Sequence, residues 1–114
     1  MVAATASYSV TAPSRAEVAA FSGPAVLEFG TSWCGFCRAA QPLIAEAFAA
    51  HPDLRHFKIE DGQGRLLGRS FGVKLWPTLI FLDNGKEVSR LVRPRDAKSI
   101  RDELARIDAT RSMG

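Results

Sequence analysis

Thr31-Ser32-Trp33-Cys34-Gly35-Phe36-Cys37-Arg38 holds the only two cysteines of the 114-residue chain, Cys34 and Cys37. Before it runs Ala25-Val26-Leu27-Glu28-Phe29, a near-continuous apolar stretch of the kind that suits a central strand buried on both faces. After it the apolar period becomes helical, with Phe36, Ala40, Leu43, Ile44, Ala47 and Phe48 on one stripe. Pro42 interrupts that stripe, removes a backbone donor and predicts a kink. His51-Pro52-Asp53 ends the helix. The cysteine pair therefore stands at a strand-to-helix junction. It closes too short a loop to stabilise the chain much by entropy, and two cysteines cannot build a multi-bridge framework. Structural stapling is a poor reason for the pair. A structural zinc needs about four ligands, and the only histidines are His51, at the far end of the helix, and His56. No metal site is expected. A redox-active dithiol is.

Working outward, Tyr8 to Thr11 reads as a short edge strand. Ser14 with Glu17 three residues later forms a capping box that opens a helix. That helix carries Val18 and Phe21 inward and stops at Ser22-Gly23-Pro24. Beyond the central helix, Leu54 to Glu60 is strand-like, Arg65 to Phe71 is a short helix, and Val73 to Trp76 is extended ahead of Pro77. Thr78 to Leu82 is a strongly apolar strand. Asp83-Asn84-Gly85-Lys86 is a hairpin turn, because Asn-Gly supplies the positive φ it needs. Glu87 to Val92 returns antiparallel, and Asp96 caps a last helix with Ala97, Ile100, Leu104 and Ile107 on its inner face. The order is β-α-β-α-β-α-β-β-α. Its first part implies parallel pairing through helical crossovers, and the hairpin adds antiparallel strands. The expectation is an α/β fold with a mixed central sheet of about five strands flanked by four helices.

Length and composition bound the rest. A chain of 114 residues suits one compact domain, 1–114, with loose ends at 1–7 and 110–114. Hydrophobic content of 46% and charged content of 24% are ordinary for a globular chain. No apolar run approaches the roughly 20 residues of a membrane-spanning helix, so no membrane role is expected. The net charge is +3 and the pI about 9.2. The basic residues alternate with acids and bring no nucleic-acid motif, so they read as solvated surface, with an acidic or nucleic-acid partner as the lesser alternative. The opening residues lack a basic segment and a long apolar segment, so no signal peptide is read and the cytoplasm is expected, or the periplasm if Met1 is a processed or engineered start. A monomer is the simplest reading.

The chain strongly resembles the thioredoxin family over nearly its whole length. The resemblance is carried by Trp33-Cys34-Gly35-Phe36-Cys37, by Glu28 six positions before the first cysteine, by Trp76-Pro77-Thr78 and by the Asn84-Gly85 hairpin. It implies a thioredoxin fold with the dithiol at the N-terminal end of the second helix. It implies that Cys34 is the nucleophile and Cys37 the resolving thiol. It implies a cis Pro77 facing the dithiol, and Glu28 where the family keeps a buried carboxylate, usually the shorter Asp. No cofactor is expected beyond the Cys34–Cys37 disulfide itself.

Physical chemistry gives each role a reason. Only a thiolate attacks a disulfide, and a helix N-terminus, with unpaired N–H groups and a positive dipole end, stabilises an anion at Cys34. Cys37, one turn in, is expected to be shielded. A carboxylate in a buried strand is costly unless protonated or paired, and desolvation is expected to raise the pKa of Glu28. Poised near neutrality, Glu28 would take the proton of Cys37, through a water if needed. The other reading has Glu28 reaching the sheet edge to pair with Lys58 or His56. Trp33, Gly35, Phe36, Trp76, Thr78 and Arg93 are the expected substrate-binding residues. Phe36 departs from the family's frequent Pro and leaves the redox direction open; Trp76 reads equally as a core aromatic or an exposed platform. Arg93 stands near a family glycine, as a solvated turn residue or as a groove altered toward acidic or different partners.

The function expected is exchange of the Cys34/Cys37 dithiol with protein disulfides, as a reductant fed by a reductase or other electron donor. The alternatives are a disulfide oxidant or interchange protein for a restricted client, and a thioredoxin-fold binding module without turnover.

Overall fold

The computed structural model describes the backbone of residues 7–113 and the side chains of residues 7–108. Its elements in order are α1 (Arg15–Ala19), β1 (Pro24–Gly30), α2 (Gly35–Phe48), β2 (Arg55–Glu60), α3 (Leu66–Ser70), β3 (Thr78–Asp83), β4 (Lys86–Val92) and α4 (Ala97–Met113). The looseness expected of residues 1–6 and of Gly114 lies outside the described residues. Residues 110–113 continue α4.

The apolar run becomes β1, buried along its whole length at the centre of the sheet. The sheet order is β2-β1-β3-β4. Strand alternation sends successive β1 side chains to opposite faces. Val26 joins Leu79, Phe81, Ile44, Ala47, Ile100 and Leu104 on the face covered by α2 and α4. Ala25, Leu27 and Phe29 join Ile80, Leu82, Val18 and Phe71 on the other. Glu28, two residues after Val26, faces α2. This parity decides what the acid meets.

Two expectations need correction. The sheet has four strands among the described residues, not five. The segment at Tyr8 to Thr11 makes only one parallel bridge, Ser9 to Ile59, held by Ser9 N–H to Lys58 O at 2.9 Å and Glu60 N–H to Ser9 O at 2.8 Å. Ser9 and Thr11 bond to each other through the Ser9 hydroxyl, which curls the segment away before a ladder forms. Among the four strands of the sheet, parallel pairing is also confined to β1 with β2, since β3 runs antiparallel to β1. The five-residue α3 and the stretch to Pro77 do not return the chain to the starting edge, so β3 enters from the opposite end.

The local signals hold. Ser14 and Glu17 form the reciprocal capping box of α1, at 3.0 and 2.8 Å. Asp96 accepts from Ser99 N–H at 2.7 Å, and Ala97, Ile100, Leu104 and Ile107 are buried. Asn84 and Gly85 both take positive φ, 51° and 78°, which matches the right-handed twist of the hairpin strands. The turn is clamped to the entry of β1: Gly23 N–H donates to Asn84 Oδ1 at 2.8 Å, and Asn84 N–H donates to Gly23 O at 3.0 Å. A Cβ at Gly85 would overlap the carbonyls of Val18 and Ala19 at the end of α1.

Gly85→Ala therefore meets both a backbone and a packing penalty, and is expected to lower unfolding free energy by about 2 kcal/mol. Urea titration checks it: the midpoint falls while the slope is unchanged.

Candidate active site

The turn Thr31-Ser32-Trp33 delivers Cys34 to the N-cap of α2, with extended φ −82° and ψ 122°. Its Sγ accepts from the Cys37 N–H at 3.3 Å, so the sulfur occupies the place where a helix start offers unpaired donors. Both thiols are free. Cys34 keeps 8% of its surface and Cys37 none. Cys37 Sγ lies against Gly30, where a Cβ would sit 2.7 Å from the sulfur and equally close to the ring of Tyr8. Only a glycine lets thiol and phenol approach the strand together. Burial first, and then the hydrogen bond to Cys34, push the Cys37 thiol up to about 12, against smaller lowering contributions from the Thr31 backbone and Tyr8. Cys37 is a protonated thiol at neutral pH in this state.

Glu28 has no exposed surface, and its partners come from three other segments. Tyr8 Oη donates to Oε2 at 2.5 Å, Gln41 Nε2 donates to Oε2 at 3.1 Å, and His56 Nε2 meets Oε1 at 2.7 Å. Lys58 Nζ lies 3.7 Å from Oε2 and also bonds to Gln41 Oε1. The strand register pairs Glu28 with Lys58 and Val26 with His56, so both bases lie on the face of the acid. This overturns the expected rise in its pKa. Burial does oppose ionisation and is the largest single influence, but the His56 hydrogen bond, the Lys58 charge, the His56 charge and the Tyr8 hydroxyl together outweigh it. Glu28 is held below the usual carboxylate value, as an ionised acceptor rather than an acid poised near neutrality. Both bases considered for it, His56 and Lys58, meet it, at the buried centre of the sheet.

Around the dithiol, the Trp76–Pro77 peptide bond is cis. Trp76 is half-buried on the cysteine pair, with its indole donating to Asp61 Oδ2 at 2.8 Å and its ring meeting exposed Trp33 edge-on at 5.7 Å. It is part core, part wall. Phe36 departs from the core stripe: it is 59% exposed, because the helix turns Cys37, Ala40 and Gln41 inward and Phe36 onto the adjacent groove. Arg93 covers it, with the guanidinium 3.8 Å from the ring centre and Nε donating to Trp76 O at 2.8 Å. Gly35 is exposed with open space around it. Thr78, expected among the substrate contacts, is not free to make one through its side chain. It is 1% exposed and its hydroxyl donates to Leu75 O at 2.6 Å, which ties down the loop.

Sequence reasoning missed Tyr8, Gln41, Gly30 and Asp61 as parts of the site. Gln41 had a signal, since it lies one turn after Cys37 on the same helical face and bonds to Cys37 O at 2.9 Å. Tyr8 had none, because its partner Glu28 is distant in the chain. Among the described residues, no three His, Cys, Asp or Glu side chains cluster as metal ligands.

A family model described as Thioredoxin matches residues 8–106. Thioredoxin H5 of Oryza sativa subsp. japonica is 36% identical over 76 residues, covering 67% of this chain and 56% of that protein. Thioredoxin H-type 1 of Nicotiana tabacum is 33% identical over 67 residues, covering 59% and 53%. The chain thus spans a little over half the length of these curated relatives. Among solved structures, reduced thioredoxin 2 from Pseudomonas aeruginosa PAO1 is 51% identical with a TM-score of 0.81, over 90% of this chain and 95% of that one. Thioredoxin from Fasciola hepatica is 26% identical with a TM-score of 0.64, over 75% and 81%.

The lowered pKa of Glu28 has a sign. Its stabilisation is fully present above the unfolded carboxyl value of 4.5 and is lost as pH falls through the folded value. Glu28→Gln is expected to cost about 3 kcal/mol at neutral pH by leaving His56 and Lys58 facing a neutral group. The gap between the two proteins should close on acidification below 4.5, as read by urea titration across pH.

Proposed function

The chain belongs to the thioredoxin family, and on that footing we propose that it is a thiol–disulfide oxidoreductase that reduces protein disulfides. The observation that supports this most directly is the unequal burial of two free thiols at a helix start, 8% for Cys34 and none for Cys37. Cys34, as thiolate, attacks one sulfur of the substrate disulfide; that S–S bond breaks and the first substrate sulfur leaves with the electron pair. Cys37 then loses its proton and attacks Cys34 Sγ. The intramolecular disulfide forms, the mixed disulfide breaks, and the second substrate sulfur leaves. The substrate gains two electrons, which a reductase or another donor returns to the protein. The single domain 1–114 acts as a monomer in this reading. The cytoplasm is the proposed compartment, where such dithiols are kept reduced. No described helix is long and apolar enough to cross a membrane.

The test is dithiothreitol-driven reduction of insulin. Wild-type protein should raise the rate well above dithiothreitol alone, and no acceleration would sink the reductase reading. Cys37→Ser should accumulate a mixed disulfide through Cys34, while Cys34→Ser should trap nothing. A reduction potential near thioredoxin's roughly −270 mV supports the reductant direction, and one near −120 mV the oxidant.

A restricted client set is the finer reading, and Arg93 favours it. Its guanidinium borders the groove formed by Phe36, Ala39, Leu43, Leu75 and Val92, and occupies the Trp76 carbonyl. A cation there favours acidic residues beside the substrate disulfide. Arg93 has φ 52°, which glycine adopts freely, so Arg93→Gly removes the charge without backbone strain. The kcat/KM ratio for an aspartate-flanked over a lysine-flanked disulfide peptide should fall about fivefold, the worth of about 1 kcal/mol between charges in water.

A further inference from the structure

The resolving step leaves one question of transport open. Cys37 must lose a proton inside the protein, and Glu28 is the ionised acceptor nearest in function. The hydrogen-bonding partners of Glu28 are Tyr8, Gln41 and His56, with Lys58 as a further ion pair. Tyr8 stands between. Its Oη donates to Glu28 Oε2 at 2.5 Å and accepts from Gln41 Nε2 at 3.2 Å. The same Oη and Cys37 Sγ lie 2.9 and 2.7 Å from one point above Gly30, so they face each other across the missing side chain. The Ser9 bridge to β2 holds the segment in place, and Lys58 Nζ lies 5.1 Å from the Tyr8 ring centre.

We propose that the Tyr8 hydroxyl relays the Cys37 proton to Glu28 during the resolving step, an inference that rests on the disulfide-exchange reading above. The Cys37 S–H bond breaks as its proton passes to Tyr8 Oη. The Tyr8 O–H bond breaks as its own proton passes to Glu28 Oε2. Tyr8 ends neutral, now donating to the Cys37 thiolate; Glu28 ends neutral; the thiolate electron pair attacks Cys34 Sγ and expels the substrate sulfur. Afterwards Glu28 loses its proton to the departing thiolate or to solvent. Burial, and then the neighbouring Glu28 charge, push the phenol far above its ordinary value. A free tyrosinate is therefore no resting point, and the two transfers run together. Formation of the mixed disulfide helps. Cys34 then no longer carries charge or accepts the Cys37 proton, so of the causes that raise Cys37 burial remains and the hydrogen bond and charge of Cys34 are gone. The titratable groups facing the relay are Cys34 and Cys37 from the dithiol, Glu28 from β1, and His56 and Lys58 from β2.

Stopped-flow reaction of the reduced full chain with 5,5′-dithiobis(2-nitrobenzoate) separates the steps. The first thionitrobenzoate release reports attack by Cys34, and the second reports resolution by Cys37. Tyr8→Phe keeps the ring and removes only the relay atom. The ratio of the second rate to the first should fall by about tenfold to a hundredfold, the lower range of general acid–base contributions, and the rising limb of the second phase should move to higher pH. Glu28→Gln should slow the same phase, and Tyr8→Phe/Glu28→Gln should be no slower than the slower single variant. A second phase in Tyr8→Phe with the wild-type rate and pH limb overturns the relay. So does equal slowing of both phases, or multiplicative loss in the double variant. If the wild type shows both phases yet fails to turn over insulin, the reductase reading fails and the relay stands.

Discussion

A carboxylate without solvent contact in the central strand must be answered by charge and hydrogen bonds, or it costs several kcal/mol. Glu28 draws that answer from widely separated parts of the chain: Tyr8 before the first helix, Gln41 from α2, and His56 and Lys58 from β2. Satisfying it requires β2 in one register against β1, α2 in one rotation over the sheet, and the N-terminal segment closed over the edge. A one-residue slip of β2 would turn both bases to the opposite face and leave the acid unpaired. The acid thus specifies an arrangement that apolar packing alone would hold less uniquely.

The same arrangement sets the dithiol. Gly30 ends β1 and leaves space that Cys37 Sγ and the Tyr8 ring share. The helix start leaves Cys34 a small opening to solvent and places Cys37 fully beneath it. Burial keeps the inner thiol protonated, and this difference between the two sulfurs is what the proposed attacking and waiting roles rest on. In the proposed relay, the chemistry at Cys34 and the proton handling beneath it are joined by three side chains, Cys37, Tyr8 and Glu28.

Much of the fold was legible because its signals are local. The Ser14–Glu17 box, the Asn84-Gly85 turn, the Asp96 cap and the α4 stripe each depend on residues within a few positions of one another. The edge strand at Tyr8 to Thr11 was less legible, because strand formation needs a partner ladder and the Ser9 hydroxyl bonds to the Thr11 backbone instead. Phe36 fitted the helical stripe by spacing, yet the packing of Cys37 and Gln41 against the sheet rotates it outward. Thr78 directly follows the cis Pro77 in sequence, but its hydroxyl is committed to Leu75 O.

By itself the sequence determined the order of elements, the strand-to-helix junction that carries Cys34 and Cys37, and the presence of an acid in the buried strand before it. Periodicity, caps and turns are short-range, so they can be read along the chain. The ionised state of Glu28, the insertion of Tyr8 between it and Cys37, and the seat of Arg93 on Phe36 and Trp76 O belong to tertiary structure alone. Each depends on the distance between groups that lie 17 or more positions apart in sequence. Charge and proton transfer respond to that distance, and only the folded chain sets it.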